Sequence, residues 1–456
     1  MELYRPGDAG FEEAAVGRVF NARRPERRPA AVLLAADERD VAAGVRLAGE
    51  EGLKVSVRAG GPSWASWSVR DDALLIDLGR MRDMTYDPAT GIATANPAVK
   101  GGEELTPFLD RHGRVFTGGH CPSVGLGGFL LQGGQGWNSR RHGWGCQNVV
   151  AVDVVTAGGE LLRADETQNS DLLWAARGAG PGYPAIVTRF HLRTYERPAA
   201  MTHDTWMFSL DDLEPVLEWV HDVLPRLDPI VEPVLVATRL PRPGQVTLVL
   251  HTTAMCTSHE EAAELLAPFD TCPLADRALE HQRGPTTIAE ENAVQAEQNP
   301  EDHRYAVDCS WTNAAAAELA PLLRDVWSEL PTEHSFSIWY GWAPQRALPD
   351  MAFSLEANVY LAVYAIWSDP ADDARCRPWV HDHMRRIASE VGAGVYLGDT
   401  DFTQRPDRFM ADSAFARLQE IRARRDPDGL ICSYLIAPDA TLNAAPARRR
   451  RTASAP

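Results

Sequence analysis

Apolar and polar positions alternate in short bursts through the first half of the chain, and the spacing predicts strands and helices in alternation. Ala31–Leu34 is a brief apolar run that reads as a strand. Asp37 then suits a helix N-cap, and Val41, Val45 and Ala48 recur at helical spacing until Gly52 ends the helix. Lys54–Arg58 (KVSVR) alternates as a strand does and runs straight into Gly60-Gly61, Leu74–Leu78 predicts a further strand, and Ile92–Ala95 a weaker one. Ala151–Thr156, the Gly158-Gly159 pair and Glu160–Arg163 together predict a hairpin. Beyond Tyr195 the texture changes. Leu213–Leu227 has the pattern of an amphipathic helix, Gln245–Thr252 of a strand, Ser258–Phe269 of a helix, Phe353–Trp367 of a segment containing a strand, and Pro378–Val391 of another helix. A last helix over Phe415–Arg425 stops at Asp426-Pro427-Asp428-Gly429. No internal repeat is visible.

Composition sharpens the class without changing this outline. With 456 residues, 45% of them hydrophobic, the chain suits two or three units sharing a substantial core. A formal net charge of −18 argues against nucleic acid or an anionic membrane as the main partner. Arg448–Arg451 does not alter that, since it sits in a short Ala/Pro-rich tail. The seven cysteines are odd in number and form no CxxC pair, which predicts reduced thiols and a cytoplasmic protein. No apolar run approaches the length of a membrane span, and no signal segment is evident.

Four glycine-rich segments carry the candidate chemistry: Arg58–Trp64 (RAGGPSW), Gly118–Gly136, Gly143–Asn148 (GWGCQN) and Gly178–Tyr183 (GAGPGY). Clusters this dense let backbone N–H groups converge on an anion such as a dinucleotide pyrophosphate. The two best-known phosphate loops are absent: no GxxxxGK[ST] occurs, and Gly125-Leu126-Gly127-Gly128 has the wrong spacing for G-x-G-x-x-G. His259-Glu260-Glu261 lacks the second zincin histidine, and there is no G-x-S-x-G elbow. His381 and His383 lie two apart on a predicted helix and diverge, so no metal is expected.

Taken in order, these segments resemble the berberine-bridge-enzyme-like FAD-linked oxidases, whose fold is also called vanillyl-alcohol-oxidase or PCMH type. Asn21-Ala22-Arg23 is similar to the N-terminal lead-in, Val57–Trp64 to the R-x-G-G-H-S pyrophosphate loop, and His120–Gly128 to the C-P-x-V-G-x-G-G segment. Asp153–Gly159, Asn169–Gly178 and Leu418–Leu430 resemble three further signatures. The implied fold is α+β, with an FAD-binding unit over residues 1–195, a substrate unit with an antiparallel sheet over 196–400, and a segment over 401–456 that returns to the FAD unit before a disordered Arg-rich tail. The implied cofactor residues are Arg58, Ala59, Gly60, Gly61, Pro62, Ser63 and Trp64 in the first loop and Cys121, Pro122, Val124, Gly125, Gly127 and Gly128 in the second. Gly133, Gly136, Asn138 and Cys146 follow, then Ile186 and Val187.

Relatives of this kind often tether the flavin twice, through a histidine in the first loop and a cysteine in the second. Pro62 stands at the histidine position and offers no nucleophile, whereas Cys121 can supply a thiolate. The expectation is FAD held by one 6-S-cysteinyl bond at Cys121, or non-covalently. Loss of the second tether implies a weaker hydride acceptor. The resemblance implies hydride transfer from a small alcohol, amine or polyketide-like intermediate to flavin N5, with dioxygen as reoxidant, in bacterial specialised metabolism. A cyclase or eliminase without net oxidation, and an inactive flavin binder, are the alternatives. The implied partners are a small-molecule substrate and dioxygen, and the assembly a monomer or homodimer. Where relatives carry Y-x-N-Y-x-D, this chain reads Val395–Asp401 (VYLGDTD), so Asp399 is the candidate base and Tyr396 the second choice. Trp67, Tyr360, Tyr364 and Trp339 are the candidate substrate wall.

Overall fold

The computed structural model describes residues 2–242 and 244–444; the Arg448–Arg451 run lies outside them. Two small sheets and one large one organise these residues. Glu2–Tyr4, Ala31–Leu34, Ala73–Asp77 and Lys54–Arg58 form a four-stranded sheet in that spatial order, with the last three strands parallel. The helix Glu38–Glu51 covers it, as its apolar spacing predicts. Asp37 caps that helix by accepting the N–H groups of Arg39 and Asp40, and Gly52 closes it at φ 68°. Leu33, Val41, Val45, Leu74 and Ile76 are fully buried between the two layers.

A five-stranded antiparallel sheet follows, built from Met84–Asp87, Ile92–Ala95, Ala185–Arg193, Val149–Thr156 and Leu161–Ala164. The expected hairpin is its last pair, with Val152 opposite Ala164.

The large sheet has eight strands, in the spatial order Glu280–Pro285, Ala200–Ser209, Thr247–Cys256, Val231–Thr238, Phe336–Gly341, Val359–Trp367, Arg304–Thr312 and Gly392–Gly394. All its pairings are antiparallel. Side chains alternate across it, so each strand feeds two different environments. One face packs on the helices Leu213–Val223, Ala316–Ser328 and Asp373–Val391 through Leu217, Leu323, Trp327, Met384 and their neighbours. The other face looks toward the two smaller sheets and forms one wall of a cavity.

The chain then doubles back. Ile431 pairs with Val55 in the first sheet: Val55 N–H donates to Leu430 O and Cys432 N–H to Val55 O, both at 2.8 Å. Among the described residues no helix is long and apolar enough to cross a membrane.

Candidate active site

The cavity between the large sheet and the two smaller ones holds about 1060 Å³. Its floor begins where the strand Lys54–Arg58 ends. Arg58 itself turns away: its guanidinium, fully buried, donates to Asp77 at 2.7 Å and to Ala15 O at 2.6 Å, which pins the loop that follows. Ala59, Gly60, Gly61, Pro62, Ser63 and Trp64 line the cavity. Asn21 fastens this loop to the large sheet, donating to Trp64 O and Tyr305 O and accepting from Tyr305 N–H.

The second loop meets the first at van der Waals limits. A Cβ at Gly60 would stand 2.8 Å from Gly125 N, and one at Gly127 would stand 2.7 Å from the Cβ of Ala59. Only glycine permits this approach. Among the described residues, the N–H groups of Gly60, Gly61, Ser63 and Trp64 find no acceptor, and all four residues line the cavity. A nest of free N–H groups over a glycine floor fits a phosphate-bearing cofactor such as FAD. Cys121, Pro122, Val124, Gly125, Gly127, Gly128, Ile186 and Val187 continue the lining.

Four expected cofactor residues do not reach the cavity. Cys146 is fully buried and directs its Sγ to Met351 Sδ at 4.0 Å. Gly133 is wedged against Phe353 and Tyr396, and Gly136 against the Gly118 carbonyl. Asn138 adopts a left-handed conformation (φ 61°) at the head of a short helix. Gln135 and Trp137, between them in the chain, do line the cavity, so these four residues shape the support of a segment that still borders it.

Asp399 ends the short 3-10 turn Leu397–Asp399 and lines the cavity. Its Oδ1 accepts from Trp64 Nε1 at 2.9 Å, and its Oδ2 accepts from the hydroxyls of Tyr360 at 2.5 Å and Tyr364 at 3.2 Å. Protein encloses the carboxyl on every side except the cavity. That burial pushes its pKa above the ordinary carboxylate value, against the three donors, which pull it down. Tyr396 also lines the cavity, and its hydroxyl accepts from Gly134 N–H at 3.1 Å. Burial and the Asp399 charge push that phenol up, so it holds its proton firmly and makes a poorer base than Asp399. Cys121 sits close enough to feel Asp399. Burial first, and that charge second, push its thiol up to about 12.

The substrate candidates divide by sheet face. Tyr364 and Trp67 line the cavity, Trp64 packs edge-on against Tyr364, and Trp67 rests on Phe402. Tyr360 is fully buried behind Asp399 and orients the carboxylate rather than touching the cavity. Trp339 points to the helix side, where its Nε1 donates to His221 at 3.1 Å. Its neighbours Ile338 and Tyr340 face the cavity instead, because successive residues of a strand project to opposite faces. The sequence reading missed a polar group on the same wall: His120, Glu232, Tyr340, His203 and His251 all line the cavity. The alternation of Glu232, Val234 and Val236 marks one cavity-facing edge, but it does not say which face of the sheet is filled.

Comparison with known proteins agrees with this geometry. Residues 29–165 match the family described as FAD binding domain. The FAD-linked oxidoreductase ptmO of Penicillium ochrochloron is 35% identical over 435 residues, covering 94% of this chain and 96% of its own. In structure, the 6-hydroxy-D-nicotine oxidase of Arthrobacter nicotinovorans superposes with a TM-score of 0.83 at 22% identity, over 96% of this chain and 98% of its own. The Physcomitrella patens BBE-like 1 protein does so at 0.81 and 19%, over 96% and 97%. The glycine loops and the cavity they line thus belong to a fold shared with these solved proteins, and at 35% identity over 94% of its length the chain belongs to the FAD-linked oxidoreductases.

Proposed function

We propose that this chain is an FAD-dependent oxidase of a small alcohol, amine or polyketide-like intermediate, with Asp399 as the base. The observation that carries the reading is the Asp399 carboxylate, held by Trp64, Tyr360 and Tyr364 with its open side toward the cavity. FAD, when bound, supplies a hydride acceptor that dioxygen can restore. The residues of the chain do the rest. The N–H groups of Gly60, Gly61, Ser63 and Trp64 hold the pyrophosphate, and Cys121 lies within the same lining as a tether. Asp399 takes the O–H or N–H proton of the substrate as the adjacent C–H bond is broken. Its raised pKa brings it nearer the working pH than a free carboxylate would be, which is where a general base is most effective. Trp64 and the two tyrosines keep the carboxylate aimed and stabilise its charged form. Residues 1–195 together with the segment beyond 401 serve as the FAD-binding part in this reading, and 196–400 as the substrate part.

The test is a screen of alcohols and amines for peroxide release, followed by Asp399→Asn on the best turnover substrate. Turnover falls by about 10² to 10⁴ while the flavin absorbance per protein stays at the wild-type level. An Asp399→Asn enzyme that turns over normally removes the assignment.

A further inference from the structure

Four apolar side chains on the cavity face of the large sheet stand partly bare, although the residues beside them in the chain are buried. Met207, Val249, Val236 and Ile338 line the cavity and are only half-buried. Their neighbours Phe208, Leu248, Leu235 and Trp339 pack on the helix side. The register sets the four in one row across the sheet, with Ile338 opposite Val236, Val236 opposite Val249, and Val249 opposite Met207. At its other end Ile338 lies opposite Ala362, and Ala362 opposite Cys309. No polar side chain interrupts the row from Ala362 to Met207.

Asp399 sits at the head of this row. Its Oδ2 accepts from Tyr360 and Tyr364, which flank Ala362 two residues to either side and share its face. Cys309 holds the segment that carries the carboxylate, its Sγ donating to Tyr396 O at 3.4 Å. The strip therefore starts at the base and runs away from it over four strand spacings, about 19 Å. Polar groups beside it are already matched. His251 pairs with Thr205 Oγ1 at 2.8 Å and with Glu291 Oε2 at 3.0 Å, and Glu291 Oε1 accepts from Thr286 at 2.7 Å. Glu291 belongs to the helix Ile288–Gln298, which adds Val294 to the lining with 49% of its surface exposed. Apolar surface left bare inside a cavity, among polar groups that satisfy one another, marks the place of an apolar ligand. Because the strip is continuous with Asp399, its occupant is the molecule whose proton Asp399 takes.

We propose that Ile338, Val236, Val249 and Met207 form a track for the apolar tail of the substrate, an alcohol or amine whose reacting carbon ends an extended hydrocarbon chain. This rests on the oxidase reading of the cavity and narrows its substrate class. A zigzag chain advances about 1.3 Å for each C–C bond of about 1.5 Å, so about fourteen carbons span the track. Each methylene that reaches it leaves water, and affinity climbs with chain length. The gain is also ordered in space, since short tails meet only Ile338 and long ones go on to Val249.

The probes are 1-alkanols from butanol to dodecanol, titrated calorimetrically into Asp399→Asn holoenzyme, whose flavin stays oxidised. Kd falls about threefold with each added methylene. Triethylene glycol monomethyl ether, which has the length of decanol but a polar chain, binds no more tightly than butanol. In the same background Ile338→Thr weakens hexanol and dodecanol by similar factors. Val249→Thr, farther along the track, weakens dodecanol by about threefold and leaves hexanol within about twofold. Flavin content per protein at the wild-type level reports that both variants are intact. A Kd independent of chain length, no binding at all, an ether that matches decanol, or a Val249→Thr effect equal on hexanol and dodecanol overturns the track. Loss of flavin from both variants would put the flavin ring on the strip and overturns it likewise. The oxidase reading fails separately, when wild type releases no peroxide from alkanols or alkylamines that still bind with this dependence on length.

Discussion

Asp399 is a carboxylate whose surroundings pull in opposite directions: burial raises its pKa, and the Tyr360, Trp64 and Tyr364 donors lower it. Because the base works only when ionised, kcat/KM falls as pH drops through a value above the ordinary carboxylate range. Tyr360→Phe removes the nearest of those donors, at 2.5 Å, so the acidic limb of the kcat/KM profile moves to higher pH by roughly one pH unit. A limb that stays in place would mean that Tyr360 does not bear on the base. The same shift affects folding with a definite sign. A carboxyl that binds its proton more tightly folded than unfolded makes stability decline as pH rises from the unfolded value through the folded one. Cys121 sets a different pH dependence. Its thiol, pushed up to about 12, is almost wholly protonated at neutral pH. Formation of acid-stable flavin on adding FAD to apoprotein therefore accelerates about tenfold per pH unit between pH 7 and 9, since the thiolate is the nucleophile. Cys121→Ala forms none, and acid precipitation followed by absorbance of the pellet reads both results. A rate independent of pH would exclude the thiolate route.

At the scale of elements, the loops and helices differ in what one substitution does. Gly60→Ala drives a methyl against Gly125 N, backbone against backbone, and the two phosphate-side loops must separate. The expected result is loss of bound flavin with the far-UV circular dichroism unchanged. Asp37→Ala removes only a helix cap and costs about 1 kcal/mol of stability, with flavin content intact; a parallel loss of flavin would show the helix to be coupled to the site. Much of this layer was legible in the sequence. Asp37 as a cap, KVSVR as a strand entering a glycine loop, and the Ala151–Arg163 hairpin follow from local pattern, and local pattern is what forms them. What local pattern does not carry is which face of a strand meets which neighbour. Trp339 and Tyr340 are adjacent aromatics, and the sequence reading puts Trp339 on the substrate wall; the helices on one side and the cavity on the other reverse that choice. Cys146 was drawn in by glycine density, a property of the turn and not of the direction its side chain takes. Glu232 gave no signal, since a single Glu in an alternating strand ordinarily faces water.

The whole molecule is organised around a chamber whose walls belong to separate sheets, joined by a shared core and by direct bonds such as those of Asn21, Trp64 and Ser139. A cofactor that touches both walls stabilises the assembly by mass action, by about 4 kcal/mol when its concentration is a thousand times its Kd. Calorimetry of holoprotein against apoprotein is expected to show a higher Tm for the holoprotein and one cooperative transition. Identical Tm values would mean that the chamber closes without help. The parallel pairing of Ile431 with Val55 adds a temporal dimension. Ile431 and Cys432 contribute to the cavity lining, so the site is unfinished until this returning segment has been made and has docked beside Val55. A chain cut before this segment would keep the glycine loops and Asp399 but leave the cavity open where Ile431 and Cys432 line it.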